Sequence, residues 1–261
     1  MGTSTLQGKL WGARPRAWTD LQEVAFEPLY RESFASAGLS GGERLLDVGC
    51  GSGLALSIAR DLGAELAGID AAESLLTIAR SRCPDADLRV GELEDLPWAD
   101  ESFDVVSGFN SFQYAENRVH GLQEAARVLR QAGRLIAAVW GQPDQCQMAN
   151  YIAALGSCMP PPPPGAPGPW ALSPPGALEG LISEAGLRPL RHGESVARFR
   201  FQSDDEARTG LLASGPAVRA VEQSGEESVA TAIMKAIAPF RAPNGAYEMT
   251  NVFRFVVADK G

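Results

Sequence analysis

The stretch "LLDVGCGSG", residues 45–53, decides how this chain folds. Two leucines and a valine surround Asp47, and Gly49, Gly51 and Gly53 follow within five residues. A short apolar run bounded by glycines reads as a buried strand. The glycines let the chain turn tightly and let a ligand reach backbone atoms. The next run, "GLALSIARDLG" at 53–63, has helical spacing and ends at Gly63. A helix starting there presents unpaired N–H groups and a positive dipole end to the turn.

Outward from this point the pattern alternates. "ELAGID" (65–70) reads as a second strand and "AESLLTIARSRCP" (72–84) as a helix stopped at Pro84. "ADLRVGEL" (86–93) and "SFDVVSGFN" (102–110) read as a third and a fourth strand. "AENRVHGLQEAARVLRQAG" (115–133) reads as a helix closed by Gly133, before a fifth strand, "RLIAAVW" (134–140). Strands alternating with helices predict right-handed βαβ units and a parallel sheet covered on both faces.

Outside that core, residues 18–37 read as one helix, with Leu21, Val24, Ala25, Pro28 and Leu29 near one face and Phe26, Tyr30 and Phe34 adding aromatic bulk. Residues 159–176 hold half of all the prolines, which fits an irregular surface linker or a stiff cover over a site. A helix (176–186), an alternating strand (193–203), a helical stretch (204–238) and a last strand (247–259) follow, and the two strands suggest an antiparallel edge. The expected fold class is α/β: a Rossmann-like, seven-stranded, mostly parallel sheet with helices on both faces, an antiparallel last strand and a cap of helices and loops. The expected organisation is one structural domain with a helical cap segment at 1–40 and a binding core at 41–141. A proline-rich insert or lid occupies 142–175, and the rest of the core sheet, with a helical insert at 204–240, occupies 176–261.

Composition narrows the function. The chain has 261 residues, 45% of them apolar, and a net charge of −9. An excess of acids opposes binding to a phosphate backbone, so no nucleic-acid partner is expected. No run approaches the ~20 apolar residues of a membrane span. The first twelve residues hold no apolar core of signal-peptide length. The four cysteines, Cys50, Cys83, Cys146 and Cys158, form no CxxC pair. No metal site is expected, and the thiols suit a reducing, cytoplasmic setting.

The glycine turn separates two ligand classes. A dinucleotide site wants G-x-G-x-x-G, but the sixth position from Gly49 is Leu54. The G-x-G-x-G actually present, with Asp47 ahead of it, favours a ligand with a nucleoside end and an amino-acid end. "AGIDAA" (67–72) follows, with Asp70 at the end of the second strand; there an acid can accept hydrogen bonds from both ribose hydroxyls or cap the next helix. With "GELEDLPW" (91–98) and "SFDVVSGFNSFQY" (102–114), these motifs resemble, in order and spacing, those of the class I S-adenosylmethionine-dependent methyltransferases, in the small-molecule branch that includes the quinone C-methyltransferases. The resemblance covers about residues 40–140.

That resemblance implies S-adenosylmethionine as cofactor and S-adenosylhomocysteine as product. It implies a cofactor site of Asp47, Gly49, Gly51, Gly53, Asp70, Ala71, Glu92, Leu93 and Phe109. Glu92 stands where the family usually carries aspartate and Leu93 where it carries alanine; by resemblance Glu92 faces the adenine amino group and the Leu93 N–H a ring nitrogen. Asn110 and Gln113 would face the substrate cavity, and many relatives carry a histidine near Gln113. "RVLRQAGRLIAAVW" (127–140) is similar to a structural segment of the family, and Trp140 would end its strand close to the site. Trp11 and Trp18 could close over cofactor or substrate, or serve as core packing.

Base candidates are few. His120 and His192 suit surface or capping roles, and Tyr30, on a helix that often covers such sites, is the better-placed hydroxyl. Tyr30 and Gln113 are therefore the expected positioning residues of catalysis, with Trp11, Trp18, Asn110 and Trp140 in the substrate pocket. The weak histidine complement favours an electron-rich carbon or an amine as methyl acceptor, with carbon, nitrogen and oxygen all open. No D/N-P-P-Y/F motif is present, which disfavours transfer to a base-amino group or to glutamine. The expectation is methyl transfer to a small, apolar or aromatic molecule. The alternatives are a non-methylating, cyclase-like protein that keeps the cofactor as scaffold, and an NAD-dependent oxidoreductase. The sequence leaves the oligomeric state open.

Overall fold

The computed structural model describes residues 2–161, 163 and 167–261. Its strands are β1 (Arg44–Val48), β2 (Glu65–Asp70), β3 (Asp87–Val90), β4 (Phe103–Phe109), β5 (Leu129–Trp140), β6 (Arg188–Phe201) and β7 (Tyr247–Asp259). They form one seven-stranded sheet in the order β3-β2-β1-β4-β5-β7-β6. The first five strands pair in parallel. β7 runs antiparallel to both neighbours, inserted between β5 and β6, so that β6 forms the edge.

β1 is apolar because it is covered on both faces: Leu45, Leu46 and Val48 are fully buried. On one face pack α3 (Glu27–Ala37), α4 (Leu54–Asp61) and α5 (Glu73–Arg82), through Phe34, Leu56 and Leu76. On the other pack α6 (Arg118–Val128) and α8 (Ala177–Glu184), through Leu122, Val128 and Ile182. Burying each such side chain contributes about 1.5–3 kcal/mol before ordering costs.

The cap joins three separate parts of the chain. Its elements are α1 (Ser4–Trp11), α2 (Pro15–Leu21), a 3₁₀ turn at Glu23–Phe26, α7 (Ala149–Ser157), α9 (Asp204–Leu211), α10 (Gly215–Ser224) and α11 (Glu226–Ile237). α1 lies on α10, α2 on α9, and α11 on α7 and α10. α1 docks through small residues: a Cβ on Gly8 would lie 2.3 Å from the Ala71 carbonyl oxygen, and the Gly12 carbonyl accepts from Ser74 Oγ at 2.8 Å.

Three expectations about boundaries are corrected. Residues 18–37 are not one helix: α2 ends at Leu21, the 3₁₀ turn intervenes, and α3 restarts with Pro28 in its first turn. Proline suits that position and would break a helix running through it. Gly133 does not close α6, which stops at Val128; Leu129 is already extended and β5 begins there. The C-terminal end of the chain claims that segment, since Ala132 N–H donates to the Lys260 carbonyl and Lys260 N–H to the Gly133 carbonyl. Residues 204–238 divide into three helices. α9 and α10 are capped by Ser203 and Ser214, and Gly225, at φ 78°, separates α10 from α11.

Candidate functional site

A cavity opens at the carboxyl ends of β1, β2 and β4, roofed by α1 and α2. This is where α/β sheets accept ligands. Gly49, at φ 79°, leaves β1 with its N–H on the Ile69 carbonyl at 2.8 Å. A Cβ there would lie 2.5 Å from Ser111 Cβ, so nothing larger than glycine fits. Gly51, at φ 53°, donates its N–H to Asp70 Oδ2 at 2.8 Å. Asp70 Oδ1 accepts from Ala72 N–H at 2.8 Å. One carboxylate thus links the first turn to the second, as well as serving the start of α5. Burial pushes the Asp70 carboxyl above its ordinary value, and the Ala72 and Gly51 N–H groups pull it back.

The third motif is tied to the N-terminus. Glu92 lines the cavity, and its Oε2 accepts from Ser4 N–H at 2.8 Å. Thr3 Oγ1 donates to the Tyr114 carbonyl at 2.8 Å, and Thr3, Ser4, Gln7 and Trp11 all face the cavity. The Trp11 ring meets Trp18 edge-on at 4.8 Å and Tyr114 at 5.7 Å. Further round the wall Phe26 stacks on Tyr30 at 6.3 Å, and Tyr30 meets Phe109 at 4.6 Å. Burial, with Glu23 and Asp47 nearby, holds the Tyr30 hydroxyl well above its ordinary pKa, so it stays protonated. After β4, Asn110 takes the left-handed conformation at φ 55°, uncommon outside glycine. Among the described residues, Asn110 Oδ1 and Ser111 Oγ are buried without a hydrogen-bond partner, and both residues line the cavity.

Gly49, Gly51, Asp70, Ala71, Glu92, Leu93 and Phe109, expected at a cofactor, therefore surround one cavity, together with Trp11, Trp18, Tyr30 and Asn110. Five expectations differ. Asp47 lies beneath the turn, 2% exposed and off the wall, because its neighbour on β4, Ser107, donates to its Oδ1 at 2.7 Å. Burial pushes its carboxyl up to about 7. Gly53 starts α4 and abuts Ala79, away from the cavity. Gln113 is turned off the wall in a 3₁₀ turn, its carbonyl accepting from Arg118 Nε at 3.3 Å. Trp140 is off the wall, half-buried, with its ring 4.3 Å from that of Phe253, its pairing partner on β7. Of the proline-rich segment, Pro162, Pro164, Gly165 and Ala166 lie outside the described residues, and no described residue of 142–175 lines the cavity. Trp170 rests 5.9 Å from Trp140, and the Pro174 carbonyl accepts from Arg254 Nη1 at 2.8 Å, which anchors the segment on β7 instead.

His120 and His192 are both exposed and off the wall. Sequence reasoning missed Phe26 as a wall residue, although its i, i+4 spacing to Tyr30 was a usable signal. It also missed Ser111 and Tyr114, although both lie within the 102–114 motif, and the polar side of α1, for which no local pattern existed.

Residues 46–137 match the family model described as "Methyltransferase domain". The chain is 32% identical over 179 residues to the O-methyltransferase resE of Aspergillus sclerotiorum, covering 66% of this chain and 64% of that one. It is 36% identical over 108 residues to a demethylmenaquinone methyltransferase of Tropheryma whipplei, covering 41% and 45%. The chain thus spans less than two thirds of the length of these relatives. Among solved structures, a SAM-dependent methyltransferase from Thermotoga maritima superposes with a TM-score of 0.56 at 14% identity, covering 98% of this chain and 100% of that one.

Proposed function

On the premise that residues 46–137 form a class I S-adenosylmethionine-dependent methyltransferase domain, we propose that the whole chain transfers a methyl group to a small, uncharged, apolar or aromatic molecule. The observation that carries this reading is the joining of the glycine turn and the Asp70 carboxylate beneath a lid of aromatic side chains. The residues present fit the cofactor. A Cβ would fill the cradle at Gly49, and the buried polar atoms of Asn110 and Ser111 await partners. Asp70 would hold the ribose, and Glu92 and Leu93 the adenine. Gly49 and Gly51 would admit the amino-acid end.

S-adenosylmethionine supplies a methyl group already activated by its sulfonium, so the chain need only align and enclose the reactants. Such positioning can contribute about 7–11 kcal/mol. Trp11, Trp18, Phe26, Phe109 and Tyr114 would exclude water and stack against the acceptor. The protonated Tyr30 hydroxyl would donate a hydrogen bond that fixes the acceptor's orientation, and Asn110 would supply a second polar contact. No lysine or arginine is among the described residues lining the cavity, which suits an acceptor without phosphate or carboxylate. We read the surroundings as cytoplasmic biosynthesis, with no nucleic-acid partner, in keeping with the acidic composition. The 1–40 segment, α7 and residues 204–240 act as the cap.

The test is production of S-adenosylhomocysteine from S-adenosylmethionine with a panel of phenols, quinols and aromatic amines. Turnover with at least one class is expected. Tight cofactor binding with no turnover would favour the scaffold alternative, and binding of NAD in its place would refute the reading.

A further inference from the structure

We propose that Glu23, which lies outside the matched domain, receives the α-ammonium of the cofactor's amino-acid end; this rests on the reading above. Glu23 opens the 3₁₀ turn between α2 and α3 and is only 3% exposed. Burying a carboxylate is costly unless it is paired and hydrogen-bonded. Half of this one is satisfied. Oε2 accepts from Ser52 Oγ at 2.5 Å and from Arg82 Nη1 at 2.7 Å. Oε1 lies over the glycine turn, 3.5 Å from where a Cβ on Gly51 would sit, and Trp18 Nε1 lies 4.0 Å from the same point. Gly51 and Trp18 are both cavity residues. The oxygen without a protein donor is therefore the one beside the cradle.

Two further observations point to a charged ligand group there. Glu23, Asp47 and Asp70 surround the turn, and the charge of Glu23 raises the proton affinity of the other two carboxyls, while the guanidinium of Arg82 is already engaged by Glu23 and Ser52. A cation entering beside Gly51 relieves that surplus. On the opposite side of the turn, Ser111, only 9% exposed, abuts Gly49 and holds an unpartnered Oγ. The turn is thus flanked by a carboxylate oxygen at Gly51 and an unused hydroxyl at Gly49, a polar pair suited to an ammonium and a carboxylate. Asp70, hydrogen-bonded to the Gly51 N–H, remains available for the ribose. Because Glu23 belongs to the cap, the same contact joins cap and cofactor.

The experiment is calorimetric titration of the wild type and Glu23→Gln with two probes, S-adenosylhomocysteine and 5′-methylthioadenosine, which lacks the amino-acid end. Glu23→Gln keeps the shape and can still accept from Ser52 and Arg82. It is expected to weaken S-adenosylhomocysteine binding by about tenfold or more and methylthioadenosine binding by less than about threefold. Equal loss for both probes, or for neither, would overturn the assignment and leave Glu23 as a tie between cap and turn. If Glu23→Gln does not fold, Glu23→Asp replaces it; the withdrawn charge should again penalise S-adenosylhomocysteine selectively, and equal affinities would overturn the proposal. A wild type that binds neither probe would overturn the functional reading itself, a result distinct from an unselective variant.

Discussion

Glu92 Oε2 accepts a hydrogen bond from Ser4 N–H at 2.8 Å across 88 residues of chain, fastening the first turn of α1 to the loop after β3. An aspartate at this position would stop one methylene short. The longer glutamate therefore has a local purpose: it reaches the positive end of the roof helix while lining the cavity. Glu92→Asp should release α1. Hydrogen exchange in residues 4–11 should quicken, and S-adenosylhomocysteine affinity should fall by about fivefold, in line with one hydrogen bond of roughly 1 kcal/mol. Ligand should slow exchange in residues 3–20 of the wild type and leave residues 145–161 unaffected, since only the former face the cavity. Slowing confined to the latter would contradict the roof assignment.

Asp70 supports two backbone N–H groups and, on the present reading, the ribose. Asp70→Ala should weaken S-adenosylhomocysteine binding at least tenfold, consistent with roughly 1.5–3 kcal/mol for charge-assisted hydrogen bonds. Circular dichroism should remain native, with a lower Tm because Gly51 and Ala72 lose their acceptor. Unchanged affinity by calorimetry would sink the assignment.

The glycines should fail in different ways. Gly49→Ala places a methyl group 2.5 Å from Ser111 Cβ at a φ of 79°, so it should destabilise the fold as well as abolish binding. Gly51→Ala meets nothing closer than 3.5 Å, so its cost in stability is mainly the left-handed backbone, about 1–2 kcal/mol. Chemical unfolding separates the two, and a Gly49→Ala protein as stable as the wild type would contradict the close approach.

The pH dependence of stability should carry the mark of Asp47. Burial lifts its carboxyl to about 7 in the folded state, above the roughly 3.9 of an unfolded chain. Between those values the folded protein binds more protons, so this group's contribution to stability falls as pH rises from about 4 to about 7 and is level above. Asp70, shifted in the same direction, adds to the trend. Relative to wild type, Asp47→Asn should gain stability progressively across that window, by no more than about 1.4 kcal/mol per pH unit. Urea unfolding at several pH values reads the difference, and a difference independent of pH would refute it.

The core was legible because its signals are local. β1 announced itself by a buried apolar run, the turn by three glycines, and β2 by an acid at its end. β7 matched its expected bounds, Tyr247–Asp259. One boundary that went astray depends on a distant partner, β5 starting early because Lys260 pairs with Ala132 and Gly133, whereas the breaks at Pro28, Ser214 and Gly225 carried local signals. The site followed the same rule. Asp70, Gly49 and Gly51 were readable, whereas Glu23, Ser111 and the Ser4–Glu92 contact acquire meaning only when the cap folds over the sheet. Trp140 and Gln113 lay near the site in sequence, yet both stand off its wall, Trp140 beside Phe253 of β7 and Gln113 in a 3₁₀ turn.

The central claim is that one cavity between the glycine turn and the roof helix holds the cofactor. A crystal structure of the wild type with S-adenosylhomocysteine tests it most directly. The ribose hydroxyls should lie within hydrogen-bonding distance of Asp70, the adenine beside Glu92 and Leu93, and the thioether should face Tyr30 and Asn110. Ligand density elsewhere on the molecule, or a ribose turned away from Asp70, would contradict the account.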